Sequence, residues 1–507
     1  MDSKKITELE ALALQVADWK RQGKRVVQCH GVFDLLHVGH IRHLNEAKSF
    51  GDYLIVTITP DHLVNKGPHR PAFPQHLRAE VLAALDVVDG IAVNRWPSAV
   101  ESIGILKPNI YAKGPDYRKA SDDVTGGILL EEEAVRAVGG TIRFTDDITF
   151  SSSRLANLHL DLLPPEVKTF LDAFRKKYTK QDIARHIESL MTLRVAVVGE
   201  TILDEYVYCD AMGKSSKEPT LAVLRRSQEL YAGGALAIAN HLAQFCRTVD
   251  VITYLGERDA QEDFVRRSLN PRVRLTAIKK PGSPTIVKRR YVESYLLSKM
   301  FEVYEMDDEA LSGLAEDALC QAMENSFSNV DAVLVADYGH GLMTPKAVAL
   351  ACQKAPFLTV NTQINAANIG FHAISRYPKA DHVCIQESEL RLEYRSRRGP
   401  IKAMVTDLER RLTCQRMTVT RGRTGILVHD KTGDFHESPA FAVKVLDRIG
   451  AGDAVLALTS LCAVAGVPPD VSAFLGNLAG AQAVTIIGNK ASIDKTILLK
   501  AAEAMLK

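Results

Sequence analysis

The chain has 507 residues, 46% hydrophobic and 24% charged, which excludes both a single small domain and a disordered chain and points to several compact units of roughly 150 residues each. Lys and Arg number 63 against 61 Asp and Glu, a formal charge of +2, too balanced for a protein whose task is to grip nucleic-acid phosphates. Small ligands are the better expectation.

Leu9, Leu12, Val16 and Trp19 fall at helical spacing behind a charged start, so the N-terminus reads as an amphipathic helix rather than a signal peptide. Apolar strand-like runs then alternate with helical patterns: Val26 to Cys29, Leu54 to Ile58, Val195 to Val198, Val249 to Tyr254, Ala332 to Ala336 and Met417 to Thr420. That rhythm predicts an α/β protein with parallel sheets covered by helices. It breaks once, after Pro164 and Pro165. There Val167, Phe170, Leu171, Phe174 and Tyr178 form one helical stripe, and Thr179 with Asp182 opens a second helix holding Ile183, Ile187 and Leu190. The expected organisation is a first domain over 1–162, a helical linker over 163–192 and a second domain over 193–507. The longest apolar stretch, Ala454 to Val467, contains Thr459 and Ser460 and falls short of the roughly 20 residues that span a membrane. Eight cysteines without a C-x-x-C pair suit reduced packing thiols in a cytoplasm.

Two segments carry chemistry. In the first, a strand from Val26 passes through a glycine-containing turn into a helix whose buried stripe is expected to be Ile41, Leu44 and Ala47. His37 and His40 flank Gly39 where that helix begins, so imidazoles, backbone amides and the positive helix end could converge on an anion. Positioned donors of that kind stabilise the charge that grows during displacement at a phosphorus atom. His30, His37, His40 and His43 also admit a metal reading, but no Cys or Glu completes a zinc spacing. In the second segment, Asp447-Arg-Ile-Gly450-Ala451-Gly452-Asp453 precedes a run that is apolar all round and reads as a buried helix. The glycine amides would form an anion hole, with Asp453 placed to accept the proton of an attacking hydroxyl. No Walker-type phosphate loop occurs.

The first segment resembles the nucleotidyltransferase superfamily with the H-x-G-H motif, in its cytidylyltransferase-like branch. Gly31, Phe33, Asp34, His37 and His40 match its nucleotide signature, and Lys66 and Arg70 resemble its triphosphate loop, with Arg78 in the helix beyond. Lys113 matches its second basic strand end, and Ser151 and Ser152, followed by Ser153 and Arg154, its hydroxyl signature. The plainer readings are a turn for Asp34, loop charges for Lys66 and Arg70, a solvated Lys113 and a helix cap for the serines. The resemblance implies a Rossmann-like domain with a parallel sheet.

The second segment resembles ribokinase-like (PfkB-type) sugar kinases, whose fold is an α/β sandwich with a small lid sheet. Besides Gly450, Ala451, Gly452 and Asp453, it carries counterparts of the sugar-binding Asp204, Gly233 and Gly234, of the middle strand end at Asp337, of the nucleotide-side loop at Thr420 and Gly422, and of an adenine-side Asn477. Glu200 stands where many members have Asp, Ala237 where an Asn is usual, and Asn361-Thr-Gln-Ile-Asn365 where Asp-x-Asn or Asp-x-Lys is usual. Together the halves resemble the bifunctional heptose kinase and nucleotidyltransferase family of ADP-heptose synthesis, in reversed order. The resemblance implies phosphorylation of a sugar, such as heptose 7-phosphate, by ATP with Mg²⁺ on the nucleotide phosphates. Coupling of the sugar 1-phosphate to a nucleotide then releases pyrophosphate. Asp453, His37, His40, Lys66 and Lys113 would be the catalytic groups. CTP with another sugar or polyol phosphate is the alternative, and a non-catalytic sugar-nucleotide sensor the rival of another class. The expected setting is a cytoplasmic homodimer paired through the kinase domain, without nucleic-acid or membrane partners.

Overall fold

The computed structural model describes residues 4–64, 71–115, 127–146, 163–366, 368–442 and 445–507. The chain divides into two compact units, residues 1–184 with 496–507, and residues 185–495. All six apolar runs singled out in the sequence are strands, and the two helices after the Pro-Pro pair are Pro165–Arg175 and Lys180–Leu190. Thr179 and Asp182 cap the second reciprocally: the Asp182 carboxylate accepts the Thr179 amide at 2.8 Å, and the Thr179 hydroxyl accepts the Asp182 amide at 3.2 Å. The last helix, Lys495–Leu506, falls almost wholly in the first unit rather than with the rest of 193–507. The Arg175 guanidinium donates to the Met505 carbonyl, and Lys180 pairs with Glu503 at 3.0 Å.

The first unit is built on five parallel strands, β1 (Val26–Gly31), β2 (Tyr53–Ile58), β3 (Gly90–Val93), β4 (Ile110–Lys113) and β5 (Thr141–Phe144), in the order β3-β2-β1-β4-β5. That order reverses between β1 and β4, and ligands of open parallel sheets bind beyond the strand ends at such a switch point. Leu9, Leu12 and Val16 of the opening helix Leu9–Arg21 are buried, while Trp19 stacks on Tyr53 at 4.1 Å. On the helix Val38–Ser49, Leu44 and Ala47 are buried, but Ile41 is 40% exposed. The expected three-residue stripe is therefore two residues long, with Ile41 in the opening turn, beyond the stretch that packs into the core. Arg78, 1% exposed, ties the surrounding loops by donating to the carbonyls of Val32, Thr59 and Phe73 and to Asp61.

The second unit contains a nine-stranded sheet and a four-stranded one. Its strands are β6 (Arg194–Gly199), β7 (Thr201–Lys214), β8 (Leu221–Gly234), β9 (Thr248–Arg258), β10 (Val273–Pro284), β11 (Ile286–Glu293), β12 (Lys299–Glu305), β13 (Ala332–Asp337), β14 (Leu358–Thr362), β15 (His382–Gln386), β16 (Arg416–Thr420), β17 (Ile426–Asp430) and β18 (Phe435–Ser438). The large sheet runs β10-β9-β6-β13-β14-β15-β16-β17-β18, parallel up to β16 and antiparallel over the last two pairings. The small sheet, β12-β11-β7-β8, grows out of it through β7, which starts two residues after β6 ends. The helix Ala451–Val464 is buried all round from Ala454 to Cys462, as its uniformly apolar sequence requires. No described helix is long and apolar enough to cross a membrane.

Candidate active sites

In the first unit, β1 ends at Gly31 and the chain turns back on itself at Phe33, whose φ is +48°. Asp34, 4% exposed, accepts the Phe73 amide at 3.1 Å and so holds the turn against the following loop. His37 is the N-cap of the next helix: its Nδ1 accepts the Gly39 amide at 3.1 Å, while Nδ1 of His40 accepts the His37 amide at 3.4 Å. A ring nitrogen that accepts carries no proton, so each neutral imidazole carries its proton on Nε2. The two rings lie 4.0 Å apart, with Phe33 beside His40 at 5.5 Å.

The other two histidines serve elsewhere. His30 sets Nδ1 against the Thr57 hydroxyl at 2.9 Å, and burial pushes its pKa down to about 3, which keeps it neutral. His43 sets Nδ1 against the Thr145 hydroxyl at 2.9 Å. Lys113, at the end of β4, pairs with Glu131 at 2.8 Å, so its charge is compensated within the unit. Lys66, Arg70, Ser151 and Ser152 lie outside the described residues.

In the second unit, Gly450 has φ +82° and precedes the helix Ala451–Val464. That left-handed turn aims the first-turn amides, which a helix leaves without internal partners. A side chain on Gly452 would meet nothing within 4 Å, so that side of the turn is open. Asp453 sits in the same turn, where its Oδ1 accepts the Tyr338 hydroxyl at 3.1 Å. Burial raises its pKa to about 6; the Tyr338 hydrogen bond and the charge of Lys288 oppose the rise, and the charge of Asp204 adds to it.

Asp204, on β7, is gripped by Arg290 through one oxygen and by the Asn489 amide at 3.0 Å through the other. Gly233 lies directly against it: a Cβ there would stand 2.2 Å from Oδ2 of Asp204. Gly234, with φ +57°, turns the chain from β8 into the helix Ala235–Leu242. A Cβ on Gly450 would stand 2.3 Å from Oδ1 of Asn489, so the glycine turn and the Asp204 carboxylate share a neighbour. The structure thus brings Asp204, Gly233, Gly450 and Asp453 into one region. Thr420 ends β16, and Gly422, φ +57°, opens the turn that follows. Asn477 gives both amide hydrogens to the carbonyls of Ser438 and Pro439, so its donors secure the end of β18.

The departures from the resembled family have structural uses. Glu200 is fully buried and accepts the amides of Tyr338 and His340 at 3.0 Å each, which fixes the loop after β13. Burial and the nearby Asp337 both push its pKa upward. Asn365 donates to the Tyr338 carbonyl at 2.8 Å, bracing the same loop. Ala237 is buried within its helix. Lys288, Arg290 and Asn489 escaped the sequence reading because none stands in a recognisable motif, whereas Tyr338 stands beside Asp337 in the middle-strand-end motif but carried no role of its own there. The only sequence signal was the pairing of two cations two residues apart, Lys288 and Arg290, on one face of a strand.

Glycine amides at a helix start, a half-buried acid beside them and a second acid on the lid sheet define a phosphotransferase-type α/β unit, joined here to a Rossmann-like one. The chain belongs to the pfkB family of carbohydrate kinases, whose profile matches residues 192–496, and residues 29–156 match the cytidylyltransferase-like family. It is 37% identical over 144 residues to the Bifunctional protein HldE of Methylobacillus flagellatus, covering 28% of each chain. It is 28% identical over 319 residues to the Bifunctional protein HldE of Koribacter versatilis, covering 61% of this chain and 63% of that one. The matched stretches thus span less than two thirds of either relative's length. Phosphofructokinase-2 from Escherichia coli, solved in complex with substrates and products, shares the fold at a TM-score of 0.51 and 15% identity, over 61% of this chain and 99% of that one.

Gly233→Ala is expected to drive the new methyl against Asp204 and destabilise the second unit by about 1–3 kcal/mol, the usual range for overpacking. Urea unfolding monitored in that unit checks this.

Proposed function

We propose that the chain is a bifunctional enzyme of sugar-nucleotide synthesis. The second unit transfers the γ-phosphoryl group of ATP to the anomeric hydroxyl of a heptose 7-phosphate. The first unit couples the resulting sugar 1-phosphate to the AMP moiety of a second ATP and releases pyrophosphate. The observation that carries this reading is the placement of Asp453: a half-buried carboxylate in the opening turn of a helix, beside a glycine facing open space and within electrostatic reach of Asp204. The relatives' printed name, a bifunctional protein, agrees with it.

In the kinase step, Asp204 and the Gly233–Gly234 backbone hold the sugar. Asp453 accepts the proton of the attacking hydroxyl, and the amides from Gly450 to Gly452 stabilise the charge on the migrating phosphoryl group. In the transfer step, the sugar phosphate oxygen attacks the α-phosphorus of the nucleotide and pyrophosphate departs. His37 and His40 donate from Nε2 to the oxygens that gain charge, and Lys66 neutralises the phosphates together with Lys113, which exchanges its Glu131 partner for them. Among the described residues no group of three or more His, Cys, Asp or Glu could hold a metal ion. Mg²⁺ brought in with the nucleotide would offset the charge of its phosphates.

We also assign a homodimer in which the lid sheets of two copies meet. Met212 on β7, Leu221 and Leu224 on β8, and Phe301 and Val303 on β12 are 40–68% exposed, an apolar set of the kind that marks association surfaces. Light scattering should return twice the monomer mass, and Phe301→Ser with Leu224→Ser should shift it toward the monomer. The eight cysteines are all free, which suits the cytoplasm we assign.

Asp453→Asn should lower sugar phosphorylation by about 10²–10⁴-fold while a supplied sugar 1-phosphate is still converted to sugar nucleotide. His40→Ala should do the reverse, lowering pyrophosphate release by about 10²–10³-fold. ADP and pyrophosphate release, assayed separately with ATP and with CTP, check both. Loss of both activities from either change, with the fold intact, would overturn the division of labour.

The base form of Asp453 is the carboxylate, so the kinase rate should rise with pH through about 6. Tyr338→Phe removes a hydrogen bond that favours that carboxylate. Its acid limb should therefore move to higher pH, with a loss at pH 6 about 3- to 10-fold greater than at pH 8. A uniform loss across the pH range would show that the hydroxyl does not act through Asp453.

A further inference from the structure

The lid sheet meets the glycine turn along a seam. Asp447, buried three residues before Gly450, turns its carboxylate toward the lid. Its Oδ2 accepts the Tyr206 hydroxyl of β7 at 2.6 Å, and its Oδ1 accepts the ammonium of Lys299, the first residue of β12, at 2.5 Å. The same carboxylate accepts two backbone amides, that of Ile449 at 3.2 Å through Oδ1 and that of Gly488 at 3.0 Å through Oδ2. Lys299 and Asp447 lie 148 positions apart in the chain. Beside this polar set, Ile449 packs against the cluster of Tyr206, Tyr231 and Val292. All four lid strands therefore reach the residues just before Gly450.

A buried carboxylate is costly unless its oxygens are paired. Burial pushes the Asp447 pKa up, and the four donors more than offset this, so it lies below the usual carboxylate range. Two of the donors come from the lid, and the Lys299 ammonium is the charged one, whose bond is the strongest kind available here. The glycine turn needs such support. Gly450 has a positive φ, a conformation glycine reaches freely and leaves freely, and no side chain caps the helix that follows. Amides stabilise a migrating phosphoryl group best when they are fixed before the charge develops. A carboxylate bonded at once to Ile449 and to two lid strands fixes them.

We propose that Lys299 and Asp447 are positioning residues through which the lid sheet holds the glycine turn in place for phosphoryl transfer. This rests on the kinase reading of the second unit. Lys299 acts through Asp447, at the start of the segment that carries the amides, and not by contact with either substrate. A lid displaced from the turn would withdraw the Lys299 ammonium and the Tyr206 hydroxyl together, so the anion hole is complete only under a seated lid.

The test uses the full chain and measures ADP release with heptose 7-phosphate. Lys299→Met should lower kcat about 10- to 100-fold and change the KM values for sugar and ATP far less, as expected for a small misplacement of preorganised amides. Pyrophosphate release from a supplied sugar 1-phosphate should stay at the natural level. The Lys299 side chain is 33% exposed, so the place it vacates beside Asp447 is open to small cations. Ammonium chloride should restore the kcat of Lys299→Met at least about 3-fold. Tetramethylammonium chloride at the same ionic strength, which has no N–H to donate, should not. Failure of ammonium to restore the rate, or equal restoration by both salts, overturns the proposal. So does a loss carried by KM alone, which would put Lys299 on a substrate, and so does an unchanged kcat with a lowered Tm, which would make it structural. If the natural chain releases no ADP with any sugar phosphate, the kinase reading fails by itself. Hydrogen exchange read by mass spectrometry then decides the clamp. Exchange over 445–453 that is about 3- to 10-fold faster in Lys299→Met, and slower again with ammonium, upholds it, and equal exchange in both chains overturns it.

Discussion

A helix that starts at the end of a strand arrives with N–H groups that its own turns cannot satisfy, and each unit of this protein deals with that constraint in its own way. In the first, the N-cap is a histidine, whose Nδ1 takes the Gly39 amide and so presents the other ring nitrogen as a donor. The bond that caps the start of the helix thus also sets the tautomer. In the second, the start of the helix is a glycine with positive φ, Gly450, and it is the side of Gly452 that faces open space. No side chain caps the first turn, and the adjacent acid accepts the hydroxyl of a tyrosine from a neighbouring loop.

The loop that carries this tyrosine depends on a buried carboxylate. Glu200 would be costly in the core if isolated, but it accepts the amides of Tyr338 and His340 and converts that cost into a fixed loop conformation. Asn365 adds a bond to the Tyr338 carbonyl. Two positions at which the sequence departs from the kinase pattern thus support the group that touches Asp453. The lid follows similar logic on its buried face, where Arg290, Asp204 and Asn489 form a closed set.

Much of this was legible in the residues. The alternation of apolar runs located the strands, the uniformly apolar run after Asp453 located a buried helix, and the two histidines around Gly39 located a helix start. Ile41 shows where periodicity fails: the 3.6-residue pattern continues into the opening turn, but burial does not. Asn477 shows another limit, since an amide in a late helix reads the same whether it meets a ligand or, as here, two backbone carbonyls.

The sequence by itself determined the class of the two units and the local chemistry of their glycine turns, because φ preferences, capping and hydrophobic spacing act over a few neighbouring residues. The tertiary structure alone decided which distant groups meet: Tyr338 with Asp453 across 115 positions, Asn489 with Asp204 across 285, and Lys299 with Asp447 across 148. Those pairings depend on strand order and register. Both are set by the packing of whole sheets and helices, which no local stretch of residues encodes.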